Sequence, residues 1–175
     1  IKIVVFDKTG TITKGKPEVT DITSFDKNTK EKELLKLAAG LEKLSEHPIA
    51  KAIVNKADLK NYKKVTAFKA LRGRGVEGKI GKDMILIGNQ TLMKERKIDL
   101  NKFVESVEKL EEDGKTTMII AENKKVLGAI AVADSVKEDS KEAISRLNKA
   151  GYRTVMITGD NERTAKAIAK QVGIK

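Results

Sequence analysis

The chain has 175 residues, of which 39% are hydrophobic, and this is enough for one domain or two small ones. It contains no cysteine and a single histidine, so disulfides, thiolate metal sites and multi-histidine metal sites are excluded. The net charge is +11, but the lysines are dispersed among glutamates, which predicts a Lys/Glu-rich surface and no stripe for nucleic-acid binding.

The N-terminal segment predicts a buried strand over residues 2–7, in which an apolar run ends at Asp7. Open α/β sheets bind ligands at the carboxyl ends of their strands, and a carboxylate held there can attack phosphorus to form an acyl phosphate. Asp7 is therefore a candidate nucleophile. Residues 18–23 predict a short strand, and the loop before it is marked by Gly10, Gly15 and Pro17.

The middle of the chain predicts two helices and then hairpins. Residues 31–44 carry apolar side chains on one helical face, and a second helix begins near Pro48 with Ser45 as its cap. Glycines punctuate the apolar runs that follow, which indicates antiparallel strands, and a further helix is expected over residues 100–110. The expected strands are 65–68, 75–80, 84–87, 116–121 and 125–132, the last two joined at Asn123.

After residue 125 the pattern alternates between strand and helix, which predicts a parallel sheet. Ser135 and Glu138 predict a capping box for a helix that stops at Gly151. A strand over 153–157 and a last helix complete the pattern.

These elements predict an α/β domain in two pieces, residues 1–24 and 126–175, with an α+β domain of residues 25–125 inserted between them. The chain starts within a strand and stops just after a helix. We therefore expect it to be a piece of a longer protein.

The pentapeptide Asp7-Lys8-Thr9-Gly10-Thr11, which Thr13 extends, matches residue for residue the phosphorylation signature of the P-type ATPases. The resemblance implies that Asp7 takes the phosphoryl group of ATP. Mg²⁺ would bridge the Asp7 carboxylate and that group, with the Thr9 carbonyl as a further ligand. Lys8 and Thr11 would contact phosphate oxygens.

The fold resembles that of the haloacid dehalogenase superfamily. Small-molecule phosphatases of that superfamily carry a second aspartate two residues after the nucleophile, which protonates the leaving group and activates water. Thr9 stands at this position and cannot do that work. We therefore expect the aspartyl phosphate to persist, as an ion pump requires.

Thr158-Gly159-Asp160 lies between a predicted strand and a predicted helix and matches the TGD motif of the same ATPases. The resemblance implies that these three residues contact phosphate, with the Thr158 hydroxyl bound to a phosphoryl oxygen. The free amides of the following helix would favour an anion. The alternative is that Asp160 merely caps that helix.

Ser45-Glu46-His47-Pro48 resembles the nucleotide-binding signature of heavy-metal-transporting P-type ATPases. The resemblance implies that His47 orients the adenine and that Glu42 bonds its amino group. Ser45 and Glu46 would flank the nucleotide. The alternative for His47 is an ordinary surface or core histidine.

Two glycine motifs match the same family. Gly73 and Gly75 lie in a GxGxxG run that leads into a strand, so a dinucleotide fingerprint is excluded. The resemblance implies that they let the backbone approach the adenosine and phosphates, and that Gly88 and Asn89 lie near the nucleotide. The alternatives are a hairpin glycine pair and a strand-to-helix cap.

The resemblance covers essentially the whole chain and is closest to the cytoplasmic ATP-binding unit of copper-pump-like members of that family. It implies an α/β, haloacid-dehalogenase-like phosphorylation domain with an inserted α+β nucleotide-binding domain, and an enzyme that hydrolyses ATP through an aspartyl phosphate. In this chain alone, turnover would be slow or absent. The alternative is a capped haloacid-dehalogenase-like phosphohydrolase.

The implied cofactors are ATP and Mg²⁺. The implied partners are the membrane and actuator domains of the same polypeptide, at the cytoplasmic face of a membrane. We expect a monomer and no nucleic-acid partner.

Overall fold

A computed structural model of the chain describes residues 2–174. The elements in chain order are β1 (Ile3–Asp7), β2 (Thr13–Ser24), α1 (Glu31–Glu42), α2 (Pro48–Ala57), β3 (Val65–Leu71), β4 (Gly75–Ile80), β5 (Asp83–Gly88), α3 (Gln90–Glu95), α4 (Val104–Glu112), β6 (Thr116–Glu122), β7 (Lys125–Val136), α5 (Ser140–Lys149), β8 (Arg153–Ile157) and α6 (Glu162–Val172).

The chain divides into two compact units. The first contains the residues up to Pro17, Glu108–Thr116 and the residues from Ala133 onward. The second contains Glu18–Val107 and Thr117–Val132. Residues 18–24 and 126–132 fall in the second unit because these parts of β2 and β7 belong to its sheet.

The first unit contains a parallel pair of strands, β1 and β8, in which Ile3 is paired with Arg153 and Asp7 with Ile157. Phe6 and Met156 pack against a core formed by residues of α5 and α6 and by Ile12. The parallel pairing predicted for this part of the chain is confirmed for β8, whereas β7 lies in the other sheet.

The prediction that β1 is buried is wrong. Ile3 and Val5 are each 52% exposed, because side chains alternate between the two faces of a strand and only one face of this sheet is covered by the described residues. Ile157, at the end of β8, is exposed in the same way.

The second unit is built on a six-stranded sheet in the order β2-β7-β6-β5-β4-β3. The pairs β3–β4 and β4–β5 are antiparallel, as the hairpin pattern predicted, and β5–β6 is also antiparallel. Ile85, Ile87 and Ile120 face a core shared with α1 and α2. Leu86 and Ile119 face the opposite core, which contains residues of α3 and α4. The strand alternation therefore places one helical pair on each side of the sheet.

Several element boundaries differ from the prediction. The expected loop at Gly15 and Pro17 is part of β2, and β7 continues through Ser135. The predicted capping box is therefore wrong, and Asp139 stands at the N-terminus of α5. The helix expected over residues 100–110 begins at Val104, and α3 was predicted only through the alternative of a strand-to-helix cap at Asn89. None of the helices within residues 2–174 combines the length and apolarity that a membrane crossing requires.

Candidate active site

The candidate nucleophile lies at the carboxyl end of β1. Asp7 is the last residue of that strand and is exposed, and its partner in the register, Ile157, ends β8. Its carboxylate makes no hydrogen bond or ion pair within the described residues 2–174, so its lone pairs are available. Because the two strands are parallel, the turn after Asp7 and the loop after Ile157 leave the sheet at the same end.

The turn after the nucleophile, Lys8–Ile12, is fixed by hydrogen bonds of Gly10 to Thr13 and to Lys137. Gly10 adopts φ +79°, a conformation that favours glycine, and its amide donates to the Thr13 hydroxyl oxygen at 3.3 Å. The Lys137 ammonium donates to the Gly10 carbonyl at 2.7 Å. Thr9 and Thr11 are exposed at the surface of this turn.

Asp134 anchors the strand that follows the turn. Its Oδ2 accepts from the Thr13 hydroxyl at 2.5 Å and from the Gly15 amide at 3.1 Å, and its Oδ1 accepts from the Lys16 amide at 3.0 Å. Sequence analysis missed Asp134 and Lys137. Asp134 is 121 residues from Thr13, and no local pattern marks either residue.

The Thr158–Asp160 loop forms a cluster with Lys8. The Thr158 hydroxyl accepts from the Asp160 amide at 3.1 Å and donates to Asp160 Oδ2 at 2.9 Å. Lys8 Nζ lies 2.5 Å from the same Oδ2, and the two charged side chains are each only 11% exposed. The structure thus brings together three residues that the sequence predicted for phosphate contact, whereas Gly159 is exposed and has open space where a side chain would project.

The alternative interpretation of Asp160, as a simple helix cap, is wrong. Asn161 is the N-cap of α6, and its side chain accepts from the Thr164 amide at 3.0 Å. Asp160 instead uses its carboxylate to hold Lys8 and its neighbours.

The donor set near Asp7 suits a weakly held hard cation. Among residues 2–174, no group of three or more His, Cys, Asp or Glu side chains is placed to hold a metal ion. Mg²⁺ in phosphoryl-transfer sites typically uses one or two carboxylates, keeps several waters and completes its shell with phosphate oxygens. The unpaired Asp7 carboxylate and the exposed turn at Thr9 fit that requirement.

In the second unit, Glu42 is the last residue of α1 and is a buried carboxyl group. It is 3% exposed, and burial raises its pKa from the ordinary value of 4.5 to about 7. Desolvation is the only cause, because it disfavours the charged form of a carboxyl group.

His47 is the N-cap of α2, where the sequence had predicted Ser45. The His47 Nδ1 accepts from the Ile49 amide at 3.2 Å, and Pro48 occupies the first helical position. Acceptance at Nδ1 requires the neutral tautomer with its proton on Nε2. Ser45 instead accepts from the His47 amide at 3.3 Å. Both His47 and Glu46 are exposed.

The glycine motifs meet where β4 begins and β5 ends. Gly75 is paired with Gly88 in the antiparallel register. Asn89 donates from Nδ2 to the Gly73 carbonyl at 3.0 Å and caps α3 by accepting from the Leu92 amide at 2.9 Å. These contacts join the four predicted residues, but no hydrogen bond within residues 2–174 joins them to Glu42 or His47.

We expect Gly75→Ala to lower the free energy of unfolding by several kcal/mol. Gly75 has φ +144°, and an added Cβ would overlap the Ile87 carbonyl oxygen and lie 2.5 Å from Gly88 Cα. The control is Gly73→Ala: its φ is +69°, but nothing lies within 4 Å of its added Cβ, so we expect a loss of about 1–2 kcal/mol. Urea unfolding would compare the two, and equal losses would contradict the steric argument.

Residues 1–175 match the family described as haloacid dehalogenase-like hydrolase. The chain belongs to the haloacid dehalogenase-like hydrolase family. The expected α/β fold class is thereby confirmed.

The relatives of this haloacid dehalogenase-like hydrolase include the copper-exporting P-type ATPases of Staphylococcus haemolyticus (strain JCSC1435) and Staphylococcus aureus (strain USA300). The first is 49% identical over 176 residues and the second 48% identical over 177 residues, in each case over 99% of this chain. The chain spans only 21% of the length of either relative.

Solved structures of metal-transporting P-type ATPases are also similar to this chain. A zinc-transporting PIB-type ATPase in the E2.Pi state is 38% identical with a TM-score of 0.70, over 99% of this chain and 28% of that one. The catalytic domain of the CPx-ATPase CopB-B, studied upon nucleotide binding, is 28% identical with a TM-score of 0.64, over 100% of this chain and 59% of that one. The resemblance to metal-transporting P-type ATPases predicted from the motifs is therefore confirmed.

Proposed function

We propose that the chain is the ATP-binding and autophosphorylation part of a heavy-metal-transporting P-type ATPase, with copper as the cargo of the longer protein. The observation that carries the proposal is the free Asp7 carboxylate at the end of β1, beside the Lys8–Asp160 cluster. The names of the relatives support the choice of copper. The membrane and actuator domains of the same polypeptide would be its partners, at the cytoplasmic face of a membrane.

In this proposal a phosphorylation domain of residues 1–24 and 126–175 carries Asp7, and a nucleotide-binding domain of residues 25–125 holds ATP. An Asp7 carboxylate oxygen attacks the γ-phosphorus, the bond from that phosphorus to the bridging oxygen breaks, and ADP leaves. Asp7 and the Thr9 carbonyl would hold Mg²⁺, which neutralises phosphate charge when bound.

The other residues of the first unit would position the phosphoryl group. Lys8, Thr11, Thr158 and Gly159 would contact its oxygens, and Asp160 holds Lys8 in place. Thr9 offers no acid or base for rapid hydrolysis of the product, so the aspartyl phosphate would persist.

In the nucleotide-binding domain, the His47 ring would stack on the adenine and Glu42 would accept from its amino group. The backbone at Gly73 has open space where a side chain would otherwise project, which supports close approach of the nucleotide there. Ser45, Glu46, Gly75, Gly88 and Asn89 would complete the surroundings of the nucleotide.

We expect His47→Asn to weaken ATP binding by about 5–150-fold, because stacking of a base on an aromatic ring contributes about 1–3 kcal/mol. Asparagine is a good N-cap residue, so this variant loses the ring while it keeps an acceptor for the start of α2. Isothermal titration calorimetry of the wild type, His47→Asn and His47→Ala would measure the effect. An unchanged affinity in His47→Asn would refute the adenine role.

A chromogenic phosphate ester distinguishes the proposed function from the alternative, a capped phosphohydrolase. Such an enzyme turns the ester over many times, whereas the proposed module forms at most one covalent intermediate per chain. Multiple turnovers that depend on Asp7 would replace the proposal with this alternative.

A further inference from the structure

The Asp160 carboxylate has a hydrogen-bond partner that none of the sequence motifs contains. Its Oδ2 binds Thr158 and Lys8, and its Oδ1 accepts from the Thr116 hydroxyl at 3.0 Å. Both oxygens of a nearly buried carboxylate are thus occupied. Thr116 is 44 residues from Asp160 and is the first residue of β6.

The segment that carries Thr116 is fixed against α6. The hydroxyl of the buried residue Thr164 donates to the Lys115 carbonyl at 2.7 Å. Arg163 forms an ion pair with Glu108 and lies 3.5 Å from the buried Glu111. These contacts hold the segment of Thr116 against α6, beside Asp160.

The steric fit at Gly114 also indicates that the segment of Thr116 is fixed against α6. Gly114 adopts φ +79°, and a Cβ added there would lie 3.0 Å from the Ile168 side chain of α6. The turn before β6 can approach the helix this closely because the residue is glycine.

We infer that Thr116 is a positioning residue for phosphoryl transfer: its hydroxyl fixes the Asp160 carboxylate, which in turn fixes the ammonium of Lys8, the residue that follows Asp7. The inference rests on the proposed function, since it gives Lys8 its phosphate-binding task. Without the hydroxyl, Oδ1 of a carboxylate that is only 11% exposed loses its protein donor, and the carboxylate can rotate away from Lys8.

The chain offers a matched control in the adjacent residue. Thr117 is also a threonine, buried where Thr116 is half-buried, but its hydroxyl has no hydrogen-bond partner within the described residues. Thr116→Val and Thr117→Val therefore remove the same atom from neighbouring positions of one strand. Only the first of these changes removes a hydrogen bond to Asp160.

We expect Thr116→Val to lower the rate of phosphoenzyme formation from γ-labelled ATP about tenfold, and Thr117→Val to leave it within about twofold of the wild type. Thr116→Ser keeps the donor and should restore most of the rate. ATP affinity, measured by calorimetry, should be the same in all four proteins, which separates positioning from a general loss of structure. Equal rates in the two valine variants would overturn the inference.

A second measurement decides the inference independently of the proposed function. Hydrogen exchange of the Asp160 amide, which donates to Thr158, should be several-fold faster in Thr116→Val than in Thr117→Val. Equal exchange would overturn the positioning role. If the wild type forms no phosphoenzyme, the proposed function fails, and the exchange comparison still supports or refutes the hold of Thr116 on Asp160.

Discussion

Replacing Asp7 with asparagine is expected to abolish acid-stable labelling of the chain by γ-labelled ATP. The carboxylate oxygen of Asp7 forms the new bond to phosphorus in the proposed reaction, and a neutral amide is not a nucleophile of comparable strength. ATP affinity should stay within about twofold of the wild type, because the proposed adenine contacts belong to α1 and α2. Acid-quench labelling over hours, combined with calorimetry, would measure both quantities.

Asp26→Asn provides the control for this experiment. Asp26 belongs to the second unit, where its carboxylate pairs with Lys125 at 3.0 Å. The same chemical change at this position should leave labelling unaffected. Labelling that survives in Asp7→Asn would show that another residue accepts the phosphoryl group.

Replacing Glu42 with glutamine is expected to stabilise the chain at pH 8 and not at pH 4. The folded state raises the pKa of Glu42 from 4.5 to about 7, so between these values the folded chain holds a proton that the unfolded chain has released. The free energy of unfolding therefore falls as the pH rises from about 4.5 to about 7, and the loss is complete above that range.

The full effect is on the order of 3 kcal/mol, since each pKa unit corresponds to about 1.4 kcal/mol. Glutamine is neutral at every pH and escapes this penalty, so the difference between the variant and the wild type should grow across the window. Urea unfolding at several pH values would test this, with Glu46→Gln, at an exposed position, as the control. A difference that does not change with pH would contradict the burial argument.

The sequence predicted those elements whose signals are local. The limits of β4 and β8 agree with the predicted strands 75–80 and 153–157, because glycines bound one and a helix–turn pattern bounds the other. The hairpins of the second unit were likewise predicted from glycine-punctuated apolar runs.

Local sequence signals did not predict the lengths of β2 and β7. Gly15 and Pro17 are residue types that normally interrupt strands. β2, however, lies at the edge of its sheet, and an edge strand tolerates proline because one of its sides has no neighbouring strand to bond. Asp134, at the far end of β7, supplies acceptors to the Gly15 and Lys16 amides. Pairing between distant segments thus overrode the local turn signals.

In the candidate site too, the residues of local motifs were predicted and the residues that act through distant contacts were missed. The motif residues Lys8, Thr158 and Asp160 were predicted, and the structure places them in one cluster. Thr116 and Asp134 were missed because their tasks depend on contacts with segments far away in the sequence. The cap of α2 was assigned to Ser45 because serine is a favoured N-cap residue, whereas the His47 imidazole fills that role.

The most direct test of the proposed function is to locate the phosphoryl group after the chain reacts with γ-labelled ATP and Mg²⁺. We expect one acid-stable label that hydroxylamine removes, as is typical of an acyl phosphate, on the peptide that contains Asp7. Absence of any acid-stable label, or a label on another peptide, would refute Asp7 as the phosphoryl acceptor.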